Sequence, residues 1–219
     1  MVTCLMITYN RIEYSKQALD SLLHSDCGDI VIIDQNSTDG TREWLKSQQK
    51  NSRFEILFNN ENKGIAGAMN QFLEITKGCA YVGKADNDTI VPENWASILF
   101  DKAFKNNIDI IQAKHPILKE THPQGFDAWI RTMRQDKNDK SIYYNSFVGG
   151  SGIVFNRQKV DKIPETNWKL YGFRQFQRDH PELIKAFCTD VEITLLDTDD
   201  NGKAYPEQYA DYYKETKRT

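Results

Sequence analysis

Short runs of consecutive apolar residues alternate along the first half of the chain with stretches whose apolar positions recur at helical spacing. Val2 to Thr8, Ile30 to Ile33 within Asp29–Asp34, Phe54 to Phe58 and the strand that opens at Cys79 read as strands buried on both faces. Between them Tyr14, Ala18, Leu19, Leu22 and Leu23 mark one helix, and Ile65, Ala68, Phe72 and Thr76 mark another that opens at Gly64. Asn36-Ser37-Thr38-Asp39-Gly40 is dense in turn and N-cap residues, so a further helix is expected from there to about Gln49, with Asp39 as a cap. Strand–helix alternation with short connections requires parallel strands and crossover helices. The expected fold is α/β: a doubly wound, mostly parallel sheet flanked by helices.

The second half is less regular. Pro92-Glu93-Asn94-Trp95 starts a helix, and Ile108 to Ala113 reads as a strand. Trp129, Ile130 and Met133 suit the inner face of a short helix. Tyr143 to Val148 and Ile153 to Phe155 read as strands around Gly149-Gly150-Ser151-Gly152, and Val191 to Leu196 as the last strand. Pro206 opens a terminal helix whose Tyr205, Tyr209, Tyr212 and Tyr213 form one packing stripe.

One domain accounts for 219 residues with 39% hydrophobic content. The formal net charge of −3 sets up no field that would draw the whole molecule to nucleic acid or anionic lipid. The four cysteines, Cys4, Cys27, Cys79 and Cys188, show no metal-ligand spacing, which suits a reducing, cytoplasmic setting. Val2 to Ile7 is too short for a signal sequence and lacks a basic flank, and no apolar run approaches a membrane span.

The chemistry centres on Ala85-Asp86-Asn87-Asp88, where the fourth strand turns acidic. In extended chain, residues i and i+2 share a side, so Asp86 and Asp88 present two carboxylates to one point and Asn87 faces away. Such a pair repels unless a cation lies between, and carboxylate oxygens suit Mn²⁺ or Mg²⁺ shared with substrate phosphates. Open α/β sheets bind ligands at this end of their strands. A solvated acidic loop is the alternative for an isolated Asp-x-Asp.

The wider pattern resembles the family-two glycosyltransferases of the GT-A fold. The resemblance rests on Ile7-Thr8-Tyr9-Asn10-Arg11, Ile32-Ile33-Asp34-Gln35-Asn36-Ser37-Thr38-Asp39-Gly40-Thr41, Asn62-Lys63-Gly64 and Asp86-Asn87-Asp88, in that order, and on the Gly-rich turn. It implies a metal-dependent, inverting transfer of a sugar from a nucleotide-diphosphate donor, a UDP-sugar by first choice, to an acceptor hydroxyl. It also implies a donor-binding half over residues 1–100 and a smaller acceptor-side half over 101–219, ending in a strand and a helix. Thr8, Tyr9, Asn10 and Asp34 would line base and ribose. Asn62, Lys63 and Gly64 would approach phosphate, and Asp86 and Asn87 would complete the donor site. Asp88 would ligate Mn²⁺ or Mg²⁺ with Asp86 beside it.

Two departures qualify the resemblance. Met69 stands where the family commonly has Arg, although Asn70 is kept. Gln175 stands about where the carboxylate base is expected, and an amide cannot take a proton. Asp179, one helical turn on, is the nearest replacement, with Asp127 a weaker one. The alternative reading is a donor-binding relative without catalysis. The acceptor is not specified: the basic residues between Lys114 and Lys140 could face an acidic glycan, a polymer or nucleic acid, or only solvent. Asp197-Thr198-Asp199-Asp200-Asn201-Gly202 matches half of a calcium loop. Its twelfth position is Gln208, so a strand–turn–helix connection is the expected reading.

Overall fold

The computed structural model describes residues 1–115, 125–164 and 172–197. The expected terminal helix with its tyrosine stripe, and the Asp197–Gly202 loop beyond Asp197, lie outside them.

Four strand–helix units open the chain: β1 (Thr3–Thr8), α1 (Ile12–His24), β2 (Ile30–Asp34), α2 (Thr41–Gln48), β3 (Phe54–Phe58), α3 (Gly64–Ile75), β4 (Tyr81–Asp86), the short β5 (Thr89–Ile90) and α4 (Trp95–Lys105). Then follow β6 (Ile110–Lys114), α5 (Phe126–Ile130), β7 (Arg134–Gln135), β8 (Ile142–Tyr144), β9 (Ile153–Asn156), α6 (Gly172–Asp179), β10 (Lys185–Glu192) and β11 (Thr194–Leu195). The main sheet has the order β3-β2-β1-β4-β9-β6-β10-β8-β7. Strands β1 to β4, β6 and β10 run one way, and β9 is inserted antiparallel between β4 and β6. This is the mostly parallel, two-sided sheet that the alternation of strands and helices requires.

Strand alternation divides the core. Cys4, Met6, Ile30 and Ile32 face one layer with Leu19 and Leu22 of α1, Leu45 of α2 and Trp95 and Leu99 of α4. Leu5, Ile7, Val31 and Ile33 face the other, with Met69 and Phe72 of α3, Ile130 of α5 and Phe173 and Phe176 of α6. Burying one large apolar side chain contributes about 1.5–3 kcal/mol, so the two layers hold the frame in register.

Three sequence expectations are corrected. The strand expected over Tyr143–Val148 is the shorter β8, which ends at Tyr144. Val148 instead exchanges two hydrogen bonds with the buried Gln177 amide, at 3.0 and 2.9 Å. The strand expected to begin at Val191 begins at Lys185, and Ile193 separates its end from β11. Lys185 hides the start because its ammonium donates to His180 O and Leu183 O, burying a residue that reads as polar surface. The strand expected to be buried on both faces over Phe54–Phe58 is β3 at the edge of the sheet, half-buried, with Glu55 exposed.

The Gly-rich turn is where the second half meets the first. Gly149 N–H donates to Gln112 Oε1 at 2.6 Å, Gln112 Nε2 donates to Ser151 O at 2.9 Å, and Ser151 Oγ accepts from Asp86 N–H at 2.8 Å. Gly152 ends the turn at φ +62°, and a Cβ there would lie 2.6 Å from Ile193 Cδ1. Gly152→Ala is therefore expected to cost about 2–4 kcal/mol through left-handed strain and overpacking, read as a lower urea midpoint.

Candidate active site

The C-terminal ends of β1, β2 and β4 lie side by side, in the register Thr8↔Asp34 and Ile7↔Asp86. The loops leaving them form one polar cluster. Asn10 and Arg11 both adopt left-handed backbone, at φ 55° and 63°, which turns the chain sharply into α1. Asn10 N–H donates to Ser37 Oγ at 2.8 Å and Asn10 Oδ1 accepts from Thr38 N–H at 2.8 Å, tying the first loop to the second. Asp39 accepts from Ile12 N–H at 3.0 Å and Thr41 N–H at 3.1 Å, so one carboxylate caps the starts of α1 and α2.

Asp34 is fully buried. Its carboxylate accepts from Thr8 Oγ1 at 3.1 Å, Ser37 N–H at 3.1 Å, Ser37 Oγ at 2.5 Å and Arg42 Nη1 at 3.3 Å. Gln35 organises the next loop: its Oε1 accepts from Lys63 N–H at 2.9 Å and from Asn59 Nδ2 at 3.2 Å. Gly64 opens α3 at φ 71°, its N–H held by Asn62 Oδ1 at 2.8 Å, while Lys63 is exposed. Met69 is a core residue, and Asn70 bonds both backbone groups of Ile163, at 3.0 and 2.7 Å. Neither side chain is free to reach a phosphate from α3.

Asp86 and Asp88 each carry a resident cation. Lys84, two residues before Asp86 and on the same side of β4, has an ammonium 1% exposed that pairs with Asp86 and donates to Gly150 O at 2.6 Å. The Arg11 guanidinium pairs with Asp88 at 2.5 Å and lies 4.0 Å from Asp197. Asn87 points inward, donating to Asn10 O at 3.2 Å and Ser15 Oγ at 2.9 Å. Burial holds the Asp86 carboxyl above its usual value; Lys84 opposes that shift and Asp88 reinforces it. Lys84 and Arg11 are the site residues that sequence reasoning missed. The available signals were a lysine inside an apolar strand and the last residue of the Ile7–Arg11 motif.

The donor set fits a hard divalent cation only in part. Two carboxylates stand at adjacent positions, and among the described residues no group of three or more His, Cys, Asp or Glu side chains converges on a point. A metal held here would take its remaining ligands from diphosphate oxygens and water.

The residues expected to act as base are divided. Asp179 is not brought to the cluster. Helix α6 starts where Gly172 packs on Ala66 and Phe173 lies near Gly150. It ends at Asp179, which is exposed and accepts from Gln175 Nε2 at 2.8 Å, beside the segment that leads into the start of β10. Two residues before it, Gln177 still bonds Val148 beside the Gly-rich turn. Asp127 instead lies at the ligand end of the sheet, 3.2 Å from the Lys114 ammonium that closes β6. Glu192 shares that ammonium at 3.3 Å. The chain then returns through β11, where Leu196 N–H donates to Asp88 O at 2.7 Å.

Together the sheet order and the acidic turn at the end of β4 define a GT-A fold. The chain belongs to glycosyl transferase family 2, whose family model matches residues 3–164. It is 33% identical over 91 residues to a Bacillus subtilis protein that carries the name teichuronic acid biosynthesis glycosyltransferase TuaG, covering 40% of this chain and 36% of that protein. It is 27% identical over 120 residues to the Escherichia coli UDP-Glc:alpha-D-GlcNAc-diphosphoundecaprenol beta-1,3-glucosyltransferase WfgD, covering 54% and 47%. The chain therefore spans less than half the length of these relatives. The crystal structure of GalNAc-T7 with UDP, GalNAc and Mn²⁺ superposes with a TM-score of 0.70 at 12% identity, covering 96% of this chain and 46% of that one. Among the described residues no helix is long and apolar enough to cross a membrane.

The Lys84–Asp86 pair generates a pH-dependent prediction. In Lys84→Met the Asp86 carboxylate keeps its burial and loses its partner, so its folded pKa rises further. A raised acid stabilises the fold below its unfolded value, near 3.8, and loses that contribution as pH climbs through the folded value. The variant should therefore be about 2–3 kcal/mol less stable than the parent at pH 7.5, with most of the deficit gone near pH 4, in urea titrations at both pH values.

Proposed function

We propose that this chain is the catalytic domain of a metal-dependent, inverting glycosyltransferase that moves a sugar from a UDP-sugar to an acceptor hydroxyl. The observation that carries this reading is the pair Asp86 and Asp88 at the end of β4, next to the Thr8–Asn10 and Asp34 loops. It is supported by family membership and by a fold neighbour that holds UDP and Mn²⁺. Residues 1–100 form the donor half and 101–219 the acceptor half.

In this mechanism the loop of Thr8, Tyr9 and Asn10, where the β1 ladder ends, receives the base and ribose. Asp34, fully buried and fixed by four hydrogen bonds, serves the base by holding Thr8 and the Ser37 loop in place. Asn62 and Gly64 shape the loop from which Lys63 meets a phosphate. Asn87 serves the donor indirectly, by holding the acidic turn against α1. Asp88, with Asp86 beside it, would hold Mn²⁺ or Mg²⁺, which when bound would supply Lewis-acid stabilisation to the nucleotide diphosphate leaving group. Asp127, held by Lys114, takes the proton of the acceptor hydroxyl in place of Asp179.

Lys84 and Arg11 bear on how the ion is taken up. They already neutralise both carboxylates, so a bare divalent cation gains little there; with a diphosphate it brings its own counter-charge. In a thermal-shift assay, Mn²⁺ alone should leave Tm unchanged. UDP with Mn²⁺ at ~100 times the dissociation constant should add ~2.7 kcal/mol, a rise of roughly 5–10 °C for a chain of this size. Asp88→Asn should lose the metal-dependent part of that rise. If another nucleotide gives the rise and UDP does not, the donor assignment fails; an undiminished rise in Asp88→Asn removes the metal role.

A donor-binding relative without catalysis is the second reading, favoured by Gln175, an amide about where a carboxylate base is expected. Metal-dependent UDP release from donor hydrolysis separates the two. Asp127→Asn should lower that rate by about 10²-fold or more, whereas Asp179→Asn should leave it unchanged. No hydrolysis in the parent chain, with UDP binding retained, would favour the second reading.

A further inference from the structure

Helix α4 carries an aromatic side chain that the fold leaves outside. Phe104 is 65% exposed, more than any other large apolar side chain among the described residues except Met1. It is not a solitary surface residue of the ordinary kind. Its ring stacks on Phe100 at 5.8 Å, and Phe100 meets the Tyr81 ring edge-on at 5.3 Å. Ser97, Phe100, Asp101, Phe104 and Lys105 follow helical i, i+3, i+4 spacing along the outer face of α4. That face is an aromatic stripe with an acid and a base beside it.

Next to the stripe is a recess. Phe100 and Tyr81 line a cavity of about 840 Å³, together with Asp26 and Arg53. The charged groups in its wall are already engaged within the fold. The Arg53 guanidinium donates to Leu23 O, Cys27 O and Gly28 O, at 2.8, 2.6 and 3.2 Å. Asp26 accepts from Ala96 N–H and Ser97 N–H, both at 3.1 Å. What the recess offers an occupant is therefore chiefly apolar wall. A cavity of about 150 Å³ is enough for a benzene ring, so this one can take a phenyl group and the helical turn that carries it.

A knob and a hole on one face, joined through Phe100, suit an isologous contact in which each copy fills the other. We propose that a second copy of this chain docks here, α4 antiparallel to α4 about a twofold axis, with Phe104 of each copy seated in the recess of the other. The charges complement themselves in the same arrangement. Asp101 and Lys105 are both exposed and pair at 3.0 Å within one helix. Antiparallel packing about the middle of α4 brings Lys105 of each copy to Asp101 of the other, whereas a parallel arrangement sets like charge against like. Two aromatic knobs and an eleven-residue helix about 16 Å long make a contact at the small end of specific interfaces, so dimerisation depends on concentration. The recess is also lined by Val2 and Asp29, at the end of the sheet opposite Asp86 and Asp88. Docking therefore leaves the sugar-transfer site open, and the dimer does not rest on the sugar-transfer reading.

Sedimentation equilibrium of the full chain, over a concentration series reaching about 1 mM, tests this contact. The expected result is a reversible monomer–dimer equilibrium. Phe104→Glu should raise the dimer dissociation constant roughly 30-fold or more, as loss of a hot-spot aromatic does, and leave far-UV circular dichroism unchanged. Asp101→Lys and Lys105→Asp each set like charges across the axis, so either variant alone should be monomeric. Mixed in equal amounts, they restore opposite charges at both positions and should form a heterodimer. Mixing cannot repair a folding defect, so this arm separates docking from damage to α4. The proposal is overturned if the parent stays monomeric throughout the series, if Phe104→Glu dimerises as the parent does, or if the two charge variants do not associate on mixing.

Discussion

Two like charges at the end of one strand are the constraint around which this molecule is arranged. Residues i and i+2 of extended chain stand about 6–7 Å apart, where two carboxylates repel by about 2–3 kcal/mol at an effective dielectric of 20. Protein side chains supply the compensation, and each comes from a different part of the fold. Lys84 rises from within β4 itself, and Arg11 swings over from the left-handed turn after β1. Neither cation is a surface lysine or arginine that happens to lie nearby. Both are buried at about the level of the core, so removing either would leave an uncompensated acid instead of a hydrated one.

The same charges tie the two halves of the chain together. The Lys84 ammonium donates to Gly150 O, and Asp86 N–H donates to Ser151 Oγ, so the Gly-rich turn of the second half is bonded to the acidic strand of the first. Gln112 and Gln177 hold that turn from behind, one from β6 and one from α6. Inserting β9 antiparallel between β4 and β6 brings the turn to the ligand end of the sheet, because a strand running backwards starts where its neighbours finish. A parallel strand at that position would have put the glycines at the opposite end.

Much of this was legible in the sequence, and the rest failed for physical reasons. The buried strands β1, β2 and β4 announce themselves because both faces are covered, so Leu5 and Ile7 need be no less apolar than Cys4 and Met6. The loop motifs are local, and their residues do gather at one end of the sheet. Lys84 was invisible because its meaning depends on Gly150, sixty-six positions away. Arg11 was inside a recognised motif, but only its backbone at φ 63° turns its side chain toward Asp88. Asp179 was reached by counting residues from the Gly-rich turn; in the fold it is exposed at the end of α6 and bonded to Gln175 of its own helix.

A general base has to stand near the group it deprotonates, so position along the sheet matters more than position in the sequence. Strand β6 is two places from β4, and its last residue, Lys114, carries Asp127 and Glu192 out over the ligand end. After Glu192 the chain crosses back through β11 to bond Asp88 O from Leu196 N–H. One continuous path of contacts thus runs from the acidic turn to the Lys114 carboxylates and back. A ligand bound between them would touch both halves of the protein at once.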